Sequence, residues 1–273
     1  MSRSLTRLLL HAVLATGAVL TVIPLFWMAA ASFMSPGEAN AVPPPMLPEH
    51  PTLANYVQLF GRLNLARSFL NSVFITTCAT LISVLVNALA GYAFAKLRFR
   101  GRAPMFRALA MALVVPAQVG MLPLFLLLRQ MGLVNTYVGA MIPYLASIFG
   151  IFLVRQYALS VPDELLDAAR VDGAGEIRIF RSIAMPILRP ILATLALFTV
   201  LSTWNDFMWP LIILSDEAKY TLPVALAGLA GEHVQDTELM MAGSVVTVLP
   251  VLIVFLAFQR TYVRGILEGS VKG

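Results

Sequence analysis

The sequence predicts an all-α membrane protein of six transmembrane helices with both termini on the cytoplasmic side, and three observations carry that prediction. Hydrophobic residues make up 59% of the 273-residue chain and charged residues only 12%, well below the roughly 25% charged content of soluble domains. Six apolar segments approach the roughly 20 residues that a helix rising about 1.5 Å per residue needs to cross about 30 Å of hydrocarbon. The basic residues cluster on alternate sides of those segments, as cytoplasmic loops require.

The first span runs from Leu8 to Met28 behind Arg3 and Arg7. Ala29-Ala30-Ala31 has the small residues of a cleavage site, but the apolar stretch exceeds the about 7 to 15 residues of a signal-peptide core, so a retained signal anchor is the better reading. Residues 33–66 follow as an extracytoplasmic connector, where Pro43-Pro44-Pro45, Pro48 and Pro51 favour extended backbone over helix. The second and third spans, Phe69 to Phe94 and Pro104 to Leu128, flank a basic turn containing Lys96, Arg98, Arg100 and Arg102. The fourth, Val138 to Val154, is the shortest and leaves through Arg155-Gln156-Tyr157 without a sharp boundary. After the long loop 158–190 come a fifth span, Leu188 to Leu214, and a sixth, Met241 to Phe258. Between these two, residues 215–240 carry Asp216, Glu217, Glu232, Asp236 and Glu238, either as a solvated outer loop or as a docking surface for an external partner. With the N-terminus inside, 15 of the 19 Lys and Arg residues face the cytoplasm and only Arg62, Arg67, Arg129 and Lys219 face out. Prolines recur within the spans, at 116, 123, 143, 190, 210 and 250, and each frees a backbone carbonyl, as suits kinked helices along a pathway.

Several functions are excluded. The net charge of +5 comes from residues at span ends, not from a basic face interleaved with aromatics, so nucleic acid is not a partner. Cys78 is the only cysteine and sits in an apolar run, which rules out an intrachain disulfide and a cysteine metal site. The histidines, His11, His50 and His233, share no depth with a nucleophile, and no phosphate-binding loop sequence is present. Asp206 is the one carboxylate inside a span, and Arg107 and Arg189 sit at the cytoplasmic ends of theirs, whereas an ion-coupled secondary carrier, the alternative reading, needs a set of ionisable groups at mid-membrane. The chain therefore reads as a transport subunit without its own cofactor, driven by energy released elsewhere.

Loop 158–190 is where that energy would enter. Ser160 is placed to cap a helix with Pro162 and Asp163 in its first turn. From Glu164 to Val171 such a helix gathers Leu165, Leu166, Ala168 and Ala169, with Glu164, Asp167 and Arg170 as polar contacts. Gly173 and Gly175 end it, and a second amphipathic segment, Glu176 to Ile183, leads to Pro186. The product is a helix-turn-helix knob with small residues at its tip.

Asp167-Ala168-Ala169-x3-Gly173-x9-Ile183-x-Met185-Pro186 resembles the EAA loop of permease subunits of binding-protein-dependent ABC importers, E-A-A-x3-G-x9-I-x-L-P, with Asp for Glu and Met for Leu as departures. Asn71-Ser72, Gly91-Tyr92-Ala93-Phe94-Ala95-Lys96, Trp204-Asn205-Asp206-Phe207 and the terminal Gly269-Ser270-Val271-Lys272-Gly273 resemble the carbohydrate-uptake branch, in particular the smaller six-span subunit of maltose-type and glycerol-phosphate-type importers. The resemblance implies the type I ABC importer permease fold, in a bacterial inner membrane, with residues 1–66 as anchor and connector, 67–262 as permease domain and 263–273 as cytoplasmic tail. It also implies the partners: a second permease in a heterodimer, two ATPase subunits that bind ATP and Mg, an extracytoplasmic solute-binding protein, and the lipid bilayer. The ATPase-coupling residues would be Glu164, Leu165, Leu166, Asp167, Ala168, Ala169, Arg170, Asp172, Gly173 and Pro186. Asn71, Asn87, Gln118, Tyr144, Trp204, Asn205 and Asp206 are the polar and aromatic groups available to line a sugar path, although polar residues also join membrane helices to one another.

Overall fold

Long uncharged apolar runs leave the backbone no partner but itself, and the computed structural model, which describes residues 3–62, 65–232 and 236–270, has helices and no strands among them. The α-helices are α1 (Arg3–Ala31), α2 (Ala54–Arg62), α3 (Leu65–Lys96), α4 (Arg102–Ala112), α5 (Met121–Gln130), α6 (Tyr137–Leu145), α7 (Ile148–Ala158), α8 (Asp163–Val171), α9 (Glu176–Ile179), α10 (Met185–Trp204), α11 (Met208–Ile213), α12 (Leu222–Glu232) and α13 (Thr237–Ser270). Four stretches are long and apolar enough to cross a membrane unbroken: Arg7–Ala31, Leu65–Lys96, Glu176–Trp204 and Thr237–Gln259. Two more spans are bent pairs, α4 with Ala117–Gln130 at 101° and α6 with α7 at 41°, so the six expected segments are present and two of them are broken.

Each break has a local cause. At Pro116 the missing N–H and the ring's clash with the preceding residue stop α4, and a 3-10 turn, Ala117–Gly120, restarts the chain in a new direction. Between α6 and α7, Ala146 and Ser147 are extended, and the Ser147 hydroxyl caps α7 by accepting the Gly150 N–H. The fifth span, expected to reach Leu214, ends at Trp204, because the Asp206 carboxylate accepts the N–H groups of Met208 (2.9 Å) and Trp209 (3.3 Å) and so starts α11 separately. Pro210 accordingly lies in the first turn of α11 and kinks nothing. Residues 215–240, read from charge as an outer loop, are largely helical: α12 is apolar, and Leu222 and Val224 are buried. The acidic residues, Asp216, Glu217, Glu232, Asp236 and Glu238, lie on either side of the apolar run 222–231 that makes this helix. His233 and the end of the tail, 271–273, lie outside the described residues.

The chain divides into two internally packed units, Met1–Arg67 with Leu222–Pro250 and Ser68–Thr221 with Val251–Gly273. In the first, the connector is ordered by polar ties more than by its prolines. Ala31, Met34 and Ala39 form a small core with Trp27 and Met241. Buried Asn55 donates to the carbonyls of Ser32 and Met34 at 3.0 and 2.9 Å, and α2 adds a helix the proline content did not predict. The Glu38 carboxylate accepts the N–H groups of Glu49 and Ser35, which hold it below the usual carboxylate range. Fully buried Glu238, at the start of α13, accepts the Ala39 N–H at 2.7 Å.

In the second unit, α3 carries a buried stripe of small polar residues, Ser68, Ser72, Thr76, Thr80, Ser83 and Asn87, spaced three and four apart, which lets neighbouring helices approach closely. Two hydrophobic clusters lie at different heights along it. One joins Ile75 and Ala79 to Leu128, Ala140, Met141, Trp209 and Ile213. The other joins Ala88, Tyr92 and Ala95 to α7, α10 and the loop between them.

Removing the Glu238 acceptor orphans a buried N–H, at a cost of about 1–3 kcal/mol. Glu238→Ala is therefore expected to speed cleavage after Glu49 by a glutamate-specific protease in limited proteolysis, and an unchanged cleavage rate would contradict a role for the Ala39–Glu238 bond in holding the connector.

Candidate functional site

The loop between α7 and α10 is too short in each of its helices to be stable alone, since isolated helices below about 12 to 15 residues are marginal in water. It takes its stability from the core of the second unit. Val161, Leu166, Ile179, Phe180 and Ala184 are buried among Ala88, Tyr92 and Ala95 of α3, Val154 and Ala158 of α7, and Leu188 to Leu195 of α10. Leu166, 1% exposed, is the one buried side chain of α8.

The ends of α8 differ in part from expectation. Ser160 does not cap it; its hydroxyl donates back to the Tyr157 carbonyl at 2.7 Å, and Pro162 occupies the cap position. Asp163 and Glu164 compensate by placing negative charge at the helix start. At the other end, Gly173 alone is left-handed (φ 80°), whereas Gly175 is extended (φ −72°) and precedes α9. The Gly173 N–H donates to the Arg170 carbonyl and the Ala174 N–H to the Ala169 carbonyl, the paired bonds of a Schellman stop. A side chain at Gly173 would meet open space, so the position demands glycine for its backbone angle and not for room.

Leu165, Leu166, Ala168 and Ala169, expected together, lie on two faces. Leu166 and Ala169 turn into the core, while Leu165 and Ala168, three apart, turn outward. Val171 (88% exposed), Leu165 (48%) and, from α9, Ile177 (78%) are apolar side chains left exposed among the described residues. On the same two helices, Arg170 donates to Asp167 at 2.6 Å and to both Glu176 oxygens at 2.7 and 3.3 Å, fastening α8 to α9 across the Gly173 turn. The two acids push the guanidinium's already high pKa further up. Asp172 is exposed at the helix end. Pro186 is exposed near the start of α10, and the π turn Phe180–Ala184 precedes it, where a proline leaves the carbonyl of Ser182 without its usual donor.

The segment Gly91–Lys96 proves to be the cradle of this loop. A Cβ at Gly91 would sit 2.7 Å from the Val154 side chain and 2.9 Å from the Arg155 backbone nitrogen, so only glycine lets α3 touch α7 there. Tyr92 packs at 5.2 Å against Phe180. Arg155 donates to the Phe94 carbonyl and lies 4.0 Å over the Phe106 ring, a role the sequence offered no signal for beyond a basic residue near aromatics. Lys96, only 5% exposed in its side chain, donates to the Val161 carbonyl and to Asp163, both at 2.6 Å. Its ammonium holds the exposed Asp163 carboxyl below the ordinary range.

The seven path candidates are not one cluster. Tyr144 donates a short hydrogen bond to Asp206, next to Asn205, whose amide bonds back to the Leu201 carbonyl, and to Trp204, which packs edge-on against Phe69. Asn71 is used up elsewhere: it donates to the carbonyls of Ala218 and Tyr220 and accepts from the Tyr137 hydroxyl. Asn87, fully buried, donates to Ser83 and accepts the Ser147 N–H, which seals the α6–α7 break. Gln118 is exposed in the turn between α4 and α5. Among the described residues no group of three or more His, Cys, Asp or Glu is placed to hold a metal ion.

Comparison with known proteins agrees with the resemblance. The family described as "Binding-protein-dependent transport system inner membrane component" matches residues 84–268. The chain is 38% identical over 259 residues to the arabinooligosaccharides transport system permease protein of Halalkalibacterium halodurans, covering 94% of this chain and 93% of that one. It is 34% identical over 270 residues to the lactose transport system permease protein of Rhizobium radiobacter, covering 99% and 98%. Its fold is similar to a chain in the crystal structure of a bacterial ABC transporter that imports the acidic polysaccharide alginate, with a TM-score of 0.84, 27% identity and coverage of 95% and 98%.

Overpacking a close helix contact costs about 1–3 kcal/mol. Gly91→Leu is thus expected to lower the melting temperature of the detergent-solubilised protein more than Gly91→Ala does, and equal melting of both with the parent would refute the contact.

Proposed function

The chain belongs to the family of binding-protein-dependent transport system inner membrane components, and from that premise we propose that it is one of two permease subunits of an ABC importer for sugars, in the bacterial inner membrane. It pairs with a different permease, receives solute from an extracytoplasmic binding protein and couples to two ATPase subunits that bind ATP and Mg. The carrying observation is the exposed apolar group Leu165, Ala168, Val171 and Ile177, set on two helices that Arg170 fastens together through Asp167 and Glu176. Exposed apolar patches of this kind mark protein contacts. Glu164, Asp167 and Asp172 border that surface, while Leu166, Ala169, Gly173 and Pro186 serve the knob's shape from within the loop. Closure of the ATPase against it would move the loop, and with it the helices that share its core, as a rigid body.

The α4–α5 elbow supports a pathway at a second subunit. Non-helical backbone at membrane depth is tolerated only where protein covers it or water fills a cavity. Here residues 113–120 are exposed, Val114 by 85%, so the partner permease or the aqueous path must meet them. Gln118 is in consequence the best placed of the path candidates, followed by Asn205 beside the Tyr144–Asp206 pair. An oligosaccharide as solute is supported by the relatives, several of whose names specify one. The scarcity of charge inside the spans speaks against an ion-coupled carrier, and the chain carries no phosphate-binding loop sequence with which to hydrolyse ATP itself.

In proteoliposomes containing the complete complex, uptake of a labelled oligosaccharide chosen from a panel of arabino-, galacto- and gluco-oligosaccharides is expected to require ATP and the binding protein. Uptake by this chain alone under an ion gradient would overturn the reading. A left-handed backbone costs an ordinary residue about 1–2 kcal/mol, so Gly173→Val is expected to reduce uptake by roughly tenfold at unchanged expression, whereas Gly173→Asn retains most of it.

A further inference from the structure

The base of α8 is held by one side chain from a distant helix. Lys96 ends α3, and its ammonium reaches across 65 residues of sequence to the Val161 carbonyl and across 67 to the Asp163 carboxylate, each at 2.6 Å. The two partners are unlike. Val161 is buried in the shared core and Pro162 follows it, so that this stretch of backbone is already immobile. Asp163 is the first residue of α8 and its side chain is 74% exposed. A surface pair at that exposure contributes little to stability, yet the lysine end is almost wholly buried, which fixes one end of the bond and lets it transmit displacement. The ammonium also opens onto a cavity of about 800 Å³ between the basic turn after α3 and the knob, lined in part by Arg98, Arg102, Asp167 and Arg170. Beside that cavity the ion pair is a polar link from the first residue of α8 to the last of α3, added to the apolar contact that Leu166 and Ala169 make with the cluster around Tyr92.

Resting on the importer reading, we propose that Lys96 and Asp163 form a positioning latch that conveys movement of the coupling loop to α3, a 32-residue helix along whose length both clusters of the second unit are built. The latch affects how much transport each ATP achieves, and affects neither solute recognition nor hydrolysis as such.

The test uses the full complex in proteoliposomes, with the oligosaccharide that the unaltered complex takes up from the panel above, and measures solute moved per ATP hydrolysed. Asp163→Asn and Lys96→Met are each expected to lower that ratio by about tenfold, within the range of ordinary coupling free energies. Hydrolysis continues and the half-saturating binding-protein concentration is unchanged. Asp163→Glu restores the ratio, and the double variant is no worse than either single one, as for two residues acting through one bond. A wild-type ratio in Asp163→Asn, or losses that multiply in the double variant, overturns the latch. Should Lys96→Met fail to assemble, the Asn and Glu variants at exposed position 163 decide the matter. If the unaltered complex shows no ATP-dependent uptake, the importer reading fails first and the latch with it.

Discussion

The knob has no core of its own. A nine-residue helix and a four-residue helix cannot persist unsupported, and what supports them is the insertion of Val161, Leu166, Ile179 and Phe180 among three membrane helices. Two glycines of the surrounding helices accommodate that insertion. Gly91 and Gly150 let α3, α7 and α10 come within contact distance, since a Cβ at Gly150 would lie 2.9 Å from both Asn87 and Leu195. Because the loop and the spans share one packed cluster, close-packed like other protein interiors, displacement of the loop cannot be absorbed locally. A surface loop that shares the core of three membrane helices is a physical basis for the coupling proposed above.

Polar chemistry inside the spans serves a second constraint, that each interruption of a helix in hydrocarbon must have its backbone satisfied. Asn87 accepts the Ser147 N–H at the α6–α7 break. Asp206 accepts two N–H groups where α10 gives way to α11. Asn135, left-handed at φ 58°, accepts the N–H groups of Ser215 and Asp216. Carboxamides and carboxylates that look from composition like solute ligands are thus largely spent on architecture. The α4–α5 elbow differs, for its exposed turn and Gln118 have no such side-chain seal among the described hydrogen bonds, and a partner or water must supply what is missing.

Much of the arrangement was legible in the order of residues. Charge at span ends, the glycine at 173 and the apolar lengths located the helices and the knob, because these depend on properties of a residue and its near neighbours. Three misreadings share a cause. Ser160 as a cap, Gly175 as a stop and Leu214 as a span end each assigned to a residue type its commonest local role, and each was decided by a competing partner: the Tyr157 carbonyl, the start of α9 and the Asp206 carboxylate. Gly91–Lys96 stood out only through resemblance, since nothing nearby in sequence explains a glycine, a tyrosine and a lysine in that order.

The sequence by itself determined that the chain is helical and membrane-embedded, with an amphipathic, glycine-terminated knob between its fourth and fifth apolar segments, because hydropathy, length and helix-stop chemistry are local. Only the tertiary structure decided which side of α8 is buried, that Lys96 holds the knob at its base, and that Asn71 and Asn87 are bound by protein. Those outcomes depend on hydrogen bonds and contacts between residues about 60 or more positions apart, and no periodicity within a single helix encodes such partners.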